Sequence, residues 1–253
     1  MVNVTDTSSV KVNDELTYLS LRIGPDKNHP VIVVDDVLED IDGFIDTFIT
    51  NVPVEGNRNY DQNTNIPGFS RPLSLFLPEI RKTVGFFINE FSDFEVPNPE
   101  DLRFAFQLNV LYSNIEHPRK YIQPHVDPSM FAFVLYLHDG SDSGNDDGTA
   151  FYSHETGGCI NMEHVFSKFK REEPYWNYKE WEYDFIERSE DLVTFDSNNI
   201  EPCWEEIHEV PMKKNRLVLY PSYLWHSAKF SAGEYDTNPR VTVSGFVEKD
   251  YFI

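Results

Sequence analysis

Two hydrophobic periods alternate along this chain and divide it. After a polar stretch with one short strand predicted at 16–23, Pro30 introduces Val31-Ile32-Val33-Val34, an unbroken β-branched run that predicts a buried strand. Leu38, Ile41, Phe44, Ile45, Phe48 and Ile49 then recur at helical spacing, predicting a helix over 39–51. Residues 52–73 carry Pro, Gly and Asn57, Asn59, Asn63 and Asn65, which predicts a loop. Its 67–71 segment could line an entrance, but Arg71 reads better as an ordinary solvated residue. Ile80, Val84, Phe87, Ile88 and Phe91 predict a second amphipathic helix over 77–91.

From Arg103 the period shortens to two. Phe104, Phe106, Leu108, Val110 and Tyr112 alternate with Gln107 and Asn109, predicting a strand with two unlike faces. Residues 131–138 are almost wholly apolar, so that strand should be covered on both sides. An acidic loop is predicted at 139–147, and extended runs return at 216–220 and 240–248. Between them, 153–210 mixes Trp176, Trp181, Trp204, Tyr175, Tyr178 and Tyr183 with charge. It reads as an insertion with a helix near 161–170, either a lid or oligomer contact or a segment that simply packs on the core. The organisation expected is one domain: a tail over 1–29, a supporting strand and helices over 30–102, and a β core over 103–253.

Composition narrows the class. In 253 residues, 40% hydrophobic and 15% aromatic content fits a globular chain with a substantial core. A formal charge of −22 argues against a nucleic-acid or anionic-membrane surface, which would need clustered Lys and Arg. No apolar run is long enough to cross a bilayer. The opening Met1-Val2-Asn3-Val4-Thr5-Asp6 lacks the pattern of a secretory signal, and Cys159 and Cys203 form no motif. A cytoplasmic location with free thiols is the expectation.

Candidate chemistry centres on Gln123-Pro124-His125-Val126-Asp127-Pro128. On an extended segment residues i and i+2 leave the same face, so His125 and Asp127 can grip one metal ion. A third ligand must come from elsewhere, and His226, just after a strand-like run, is the candidate. Two His and one carboxylate on one octahedral face, with open positions opposite, is the arrangement of non-haem Fe(II) oxygenases. An Arg follows at 240, opening another strand. Its alternation puts Arg240, Thr242, Ser244 and Phe246 on one face. His29, His117, His138, His154, His164 and His208 lack partner spacing and read as structural or surface residues. His138 and His154 flank the candidate site strands and are the two worth revisiting.

These parts, in this order, resemble the 2-oxoglutarate- and Fe(II)-dependent dioxygenases, most closely the prolyl-hydroxylase-like branch. The resemblance rests on Tyr112, on His125-Val126-Asp127 and Leu135-Tyr136-Leu137, and on 147–151, 216–221, His226 and 240–246. It spans roughly residues 104–248. It implies a double-stranded β-helix, the cupin-type jelly roll, with flanking helices, a mainly β α+β fold. It further implies Fe(II) on His125, Asp127 and His226, and 2-oxoglutarate and dioxygen as co-substrates. The far carboxylate of 2-oxoglutarate would meet Arg240, Thr242 and Tyr136, with Tyr112 beside the metal. The activity implied is hydroxylation of a C–H bond in a peptidyl or free amino acid. Asp147-Gly148 replaces the family's usual Gly-Gly. Arg240 follows His226 by fourteen residues, where relatives have about ten, so 231–238 should bulge as a longer hairpin. Two other readings stay open: a non-catalytic cupin-like metal-binding protein, and a zinc hydrolase on the same ligands.

Overall fold

The computed structural model describes residues 5–6, 9–24, 27, 29–50, 68–73, 75–92, 95–99, 102–111, 124–127, 129–140, 147–154, 204–230, 235 and 238–247. Tyr112, the predicted helix at 161–170 and most of the insertion lie outside them. The elements begin with β1 (Thr5–Asp6), β2 (Thr17–Ile23) and β3 (His29–Asp35). A helical turn α1 (Ile41–Phe44) follows, then β4 (Gly68–Leu73), β5 (Leu75–Phe76), α2 (Pro78–Phe91) and β6 (Phe104–Leu111). The remainder is β7 (Phe131–Tyr136), β8 (Gly148–His154), β9 (Trp204–Pro211), β10 (Leu217–Pro221), β11 (His226–Lys229) and β12 (Arg240–Val247).

Seven strands form one antiparallel sheet in the order β2-β3-β10-β7-β12-β6-β4, and three form a second in the order β11-β8-β9. From β7 onward the chain crosses repeatedly between the two. The fold is mainly β with few helices, and this alternation is consistent with a jelly-roll-like arrangement. One face of the large sheet, with Ile32, Val34, Phe106, Leu108, Leu135, Leu217, Leu219 and Val243, packs against Ile80, Val84, Phe87 and Ile88 of α2. The other face, with Ala132, Val134, Tyr136, Val218 and Tyr220, packs against Phe151 and Val210 of the small sheet. Every residue of β7 is therefore buried, as its uninterrupted apolar run requires.

Four expectations are corrected. Residues 68–73 are a strand, not a loop: β4 pairs with β6 from Gly68↔Leu111 to Leu73↔Phe106. Pro72 is tolerated there because β4 is an edge strand, where a missing N–H disrupts no ladder. The helix over 39–51 is one α-turn, its Gly43 amide capped by Asp40, continuing as a π-helical stretch at Ile45–Ile49. There the Thr50 amide reaches the Ile45 carbonyl at 2.9 Å, one residue beyond α-helical reach. Finally, β11 and β12 cannot be joined by a hairpin, since they belong to different sheets. Residues 204–210 are also core rather than insertion, because they form β9.

Gly245 shows how tightly the middle of the large sheet is packed. It lies opposite Phe133, and a Cβ at Gly245 would land on the Phe133 ring. Gly245→Ala should lower unfolding free energy by about 1–3 kcal/mol. Phe133→Leu in the same chain should recover part of that loss. Urea denaturation of wild type and the two variants measures both effects.

Candidate metal centre

Backbone pairing brings His125 to His226. Each donates its amide to the other's carbonyl, both at 2.9 Å, forming a bridge between two distant segments. Two residues on, the Asp127 amide reaches the Ser222 carbonyl at 3.0 Å. On the other side, His226 opens β11 opposite Phe151 of β8. The three ligand candidates are thus fixed by main chain before any ion binds.

Their side chains converge. His226 Nε2 lies 3.2 Å from Asp127 Oδ2 and His125 Nε2 lies 3.9 Å from Asp127 Oδ1. One ligand atom from each of the three falls within 4.8 Å of the other two. Adjacent ligands of an octahedral ion at about 2.1 Å are about 3 Å apart, so a small closure completes the set. His226 is buried, whereas the His125 side chain is half exposed, which leaves the centre open on one side.

The protonation pattern tests whether a cation fits. His226 Nδ1 lies 2.8 Å from the Leu224 carbonyl and can only donate to it. In the neutral ring the Nε2 lone pair then faces the buried Asp127 Oδ2, and only a protonated Nε2 could donate to it. Two lone pairs at 3.2 Å call for a proton or a metal ion between them. Burial pushes the Asp127 carboxyl up, but charge on His226, a hydrogen bond from it, and charge on His125 outweigh burial and hold the group below its usual range. Asp127 is therefore ionised at neutral pH, as a ligand must be.

A second charge lies buried in the same interior. Arg240 is 3% exposed, donates from Nη2 to the Gly148 carbonyl at 2.9 Å, and sits 5.5 Å over the Tyr136 ring. Its Nε has no partner, and no carboxylate pairs with it among the described residues. A guanidinium buried without a counter-ion is costly, and an incoming carboxylate would relieve that cost with two parallel hydrogen bonds. The Tyr136 hydroxyl meets Thr149 Oγ1 at 2.7 Å, and Thr242 stands directly across from Tyr136. Arg240, Thr242 and Tyr136 are thus one neighbourhood.

Three features escaped the sequence. Tyr220 is fully buried, its ring 4.7 Å from that of His226 and 5.3 Å from that of Phe151. Burial, then the Asp127 charge, push its phenol well above the usual tyrosine range, so it remains a hydrogen-bond donor. Within the apolar run 217–221, nothing marked which residues face inward. His208 lies opposite Phe151, which lies opposite His226, so the three form one row on the interior face of the small sheet. Burial lowers the His208 pKa, leaving its ring neutral at physiological pH. Finally, the interior side of β6 is polar. Asn109 donates to Ser244 Oγ at 2.8 Å and Gln107 accepts from Ser70 Oγ at 3.1 Å, and neither amide has a further hydrogen-bond partner among the described residues. That wall was legible only as an alternation.

A family model described as "Family of unknown function (DUF6445)" matches residues 15–247. No curated protein matches the sequence. Among solved structures the chain is similar to the epimerase SnoN, crystallised "in complex with Fe3+, alpha ketoglutarate and nogalamycin RO", at 13% identity and a TM-score of 0.33. The match covers 68% of this chain and 56% of that one. A likeness that slight carries neither fold nor chemistry across. No helix among the described residues is long and apolar enough to cross a membrane.

Metal-free protein should take up one equivalent of Fe(II) or Co(II) under anaerobic titration. His226→Ala or Asp127→Ala should weaken that uptake by more than about a hundredfold, exceeding the effect of losing an outer-shell partner. Arg240→Ala should leave it nearly unchanged.

Proposed function

We propose that this chain, which belongs to the DUF6445 family of unknown function, is an Fe(II)- and 2-oxoglutarate-dependent oxygenase built on a cupin-type jelly roll. The observation that carries the reading is the buried Arg240, without a carboxylate partner among the described residues, in the same interior as a convergent His125–Asp127–His226 set. A protein that only stores a metal has no use for a buried anion clamp. A zinc hydrolase would need a general base beside the metal, and no spacing in the sequence suggests one.

His125, Asp127 and His226 would hold the iron, leaving open positions for 2-oxoglutarate and dioxygen. Bound iron supplies the dioxygen chemistry by which a substrate C–H becomes C–OH while 2-oxoglutarate becomes succinate and carbon dioxide. Arg240 would pair the far carboxylate of 2-oxoglutarate, with Thr242 offering a hydroxyl from the adjoining position. Tyr136, kept protonated by burial and tied to Thr149, would set the orientation of that end. Tyr112 is assigned beside the metal on the resemblance alone. The Asp127 carboxylate fills the place a halide would need, which favours hydroxylation over halogenation.

For the substrate, the polar interior of β6 supports a hydrogen-bonding molecule over a hydrocarbon. The Gln107 amide group and the Asn109 carbonyl, without a further partner among the described residues, suit an amide-bearing group, in keeping with a peptidyl or free amino acid.

Purified protein with Fe(II), ascorbate, 2-oxoglutarate and oxygen should form succinate slowly without added substrate, and Asp127→Ala should abolish this. Arg240→Ala should weaken 2-oxoglutarate binding by about 2–3 kcal/mol while sparing metal affinity. Anaerobic calorimetry at saturating Fe(II) measures the second effect. Wild-type protein that binds neither metal nor 2-oxoglutarate would sink the oxygenase reading and promote the non-catalytic binder.

A further inference from the structure

β12 carries Arg240 at its first position and is held to β7 through Thr242↔Tyr136 and the pairs that follow. At the Arg240 end that pairing weakens. The Leu137 amide reaches the Val241 carbonyl at only 3.4 Å. The Val241 amide does not return to a β7 carbonyl but donates to Nε2 of His138 at 2.9 Å. An imidazole thus stands where a backbone acceptor would close the ladder, one residue from the buried guanidinium.

His138 can fill that place in one protonation state only. Its Nδ1 lies 2.6 Å from the Asp139 carbonyl and must donate to it, so Nε2 is the acceptor in the neutral ring. The Asp139 side chain is itself held by the Lys214 amide at 2.9 Å, which steadies the acceptor. Adding a proton puts an N–H on Nε2 against the N–H of Val241, and the bond cannot survive.

We infer that His138 is a positioning residue for the anion clamp: its neutral ring latches the start of β12 and thereby aims Arg240, and its protonation releases the latch. The inference rests on the oxygenase reading for the identity of the anion, but not for the latch itself.

The groups around the ring set the direction of the switch. Arg240 faces it from β12. Asp139 adjoins it in the chain, and Asp147 approaches from the start of β8. Tyr235 packs edge-on at 6.0 Å between ring centroids and donates its hydroxyl to Asp147 Oδ2 at 2.9 Å. Burial is the largest influence and lowers the His138 pKa. The Asp139 carbonyl opposes it, Arg240 reinforces it, and the two carboxylates oppose it without reversing it. The folded-state pKa is therefore below the unfolded one. The latch is closed at neutral pH, and its contribution to stability is lost as pH falls from the unfolded value, about 6.5, through the folded one.

The test uses full-length protein, wild type beside His138→Gln and His138→Leu. Gln keeps an acceptor near the Nε2 position and does not titrate; Leu removes the acceptor. The first readout needs no ligand: hydrogen exchange at the Val241 amide. Protection, taken relative to the intrinsic rate at each pH, should be high in wild type and His138→Gln at neutral pH, low in His138→Leu, and lost in wild type alone on acidification. The second is 2-oxoglutarate affinity at saturating Fe(II) without oxygen, where metal-bound His125 and His226 cannot take up protons. Wild-type affinity should fall roughly five- to tenfold on acidification, as expected for losing one buried hydrogen bond. His138→Gln should hold its affinity, and His138→Leu should be weak at every pH with Fe(II) affinity intact. Equal Val241 protection in all three proteins, or a pH profile unchanged by His138→Gln, overturns the latch. Failure of wild type to bind 2-oxoglutarate overturns the oxygenase reading instead, and the exchange readout still decides the role of His138.

Discussion

The reciprocal amide exchange between His125 and His226 is the constraint on which the rest depends. It ties two segments separated by most of β7 to β11, and it does so at the two imidazole-bearing residues themselves. Closing so long a loop costs entropy that one bridge cannot supply. The surrounding pairs supply it: β7 with β10 and β12, and β11 with β8, hold the flanking strands in register. The ligand set is therefore an outcome of sheet pairing rather than of side-chain packing. Ser222, which accepts from Asp127 and donates its own amide to Met130, carries the same logic to the carboxylate.

A carboxylate beneath two imidazoles shares one interior with a guanidinium that no carboxylate among the described residues pairs. Neither gives a good core by itself, because buried charge that is imperfectly paired gains less from attraction than it loses in hydration. The apolar shell of Phe151, Tyr220, Val218 and Leu224 around them must compensate. Cation and anion binding are then coupled to folding: each ligand removes a penalty the empty protein carries, so each should raise its stability by mass action.

What the sequence disclosed followed from what each pattern is sensitive to. β3, β7 and β10 were legible because strands covered on both faces leave continuous apolar runs. The helix α2 was legible because its buried positions keep one period over fourteen residues. β4 was hidden by Pro67, Gly68 and Pro72, which read as punctuation; at a sheet edge they are compatible with pairing. The π-helical stretch was hidden because its apolar spacing differs from that of an α-helix by a single residue. The ordered parts of the site, His125, Asp127, His226 and Arg240, stood out through residue type and order. His138 stood out only by its place beside the site strands, and His208 and Tyr220 did not, because their roles depend on cross-strand register, which a one-dimensional pattern does not contain.

The register of β9 has a consequence of its own. Phe151 pairs with His208 and the next residue, Tyr152, pairs with Glu206, so Ile207 is an extra residue without a partner. An odd insertion reverses the parity of everything beyond it. The half of β9 from His208 to Pro211 therefore keeps one inside-outside code, and the half from Trp204 to Glu206 keeps the opposite one. The distal half is out of phase with the row that contains His208, Phe151 and His226. The bulge thus sets two inside-outside frames within one strand, and only the frame from His208 to Pro211 is in phase with the chemistry.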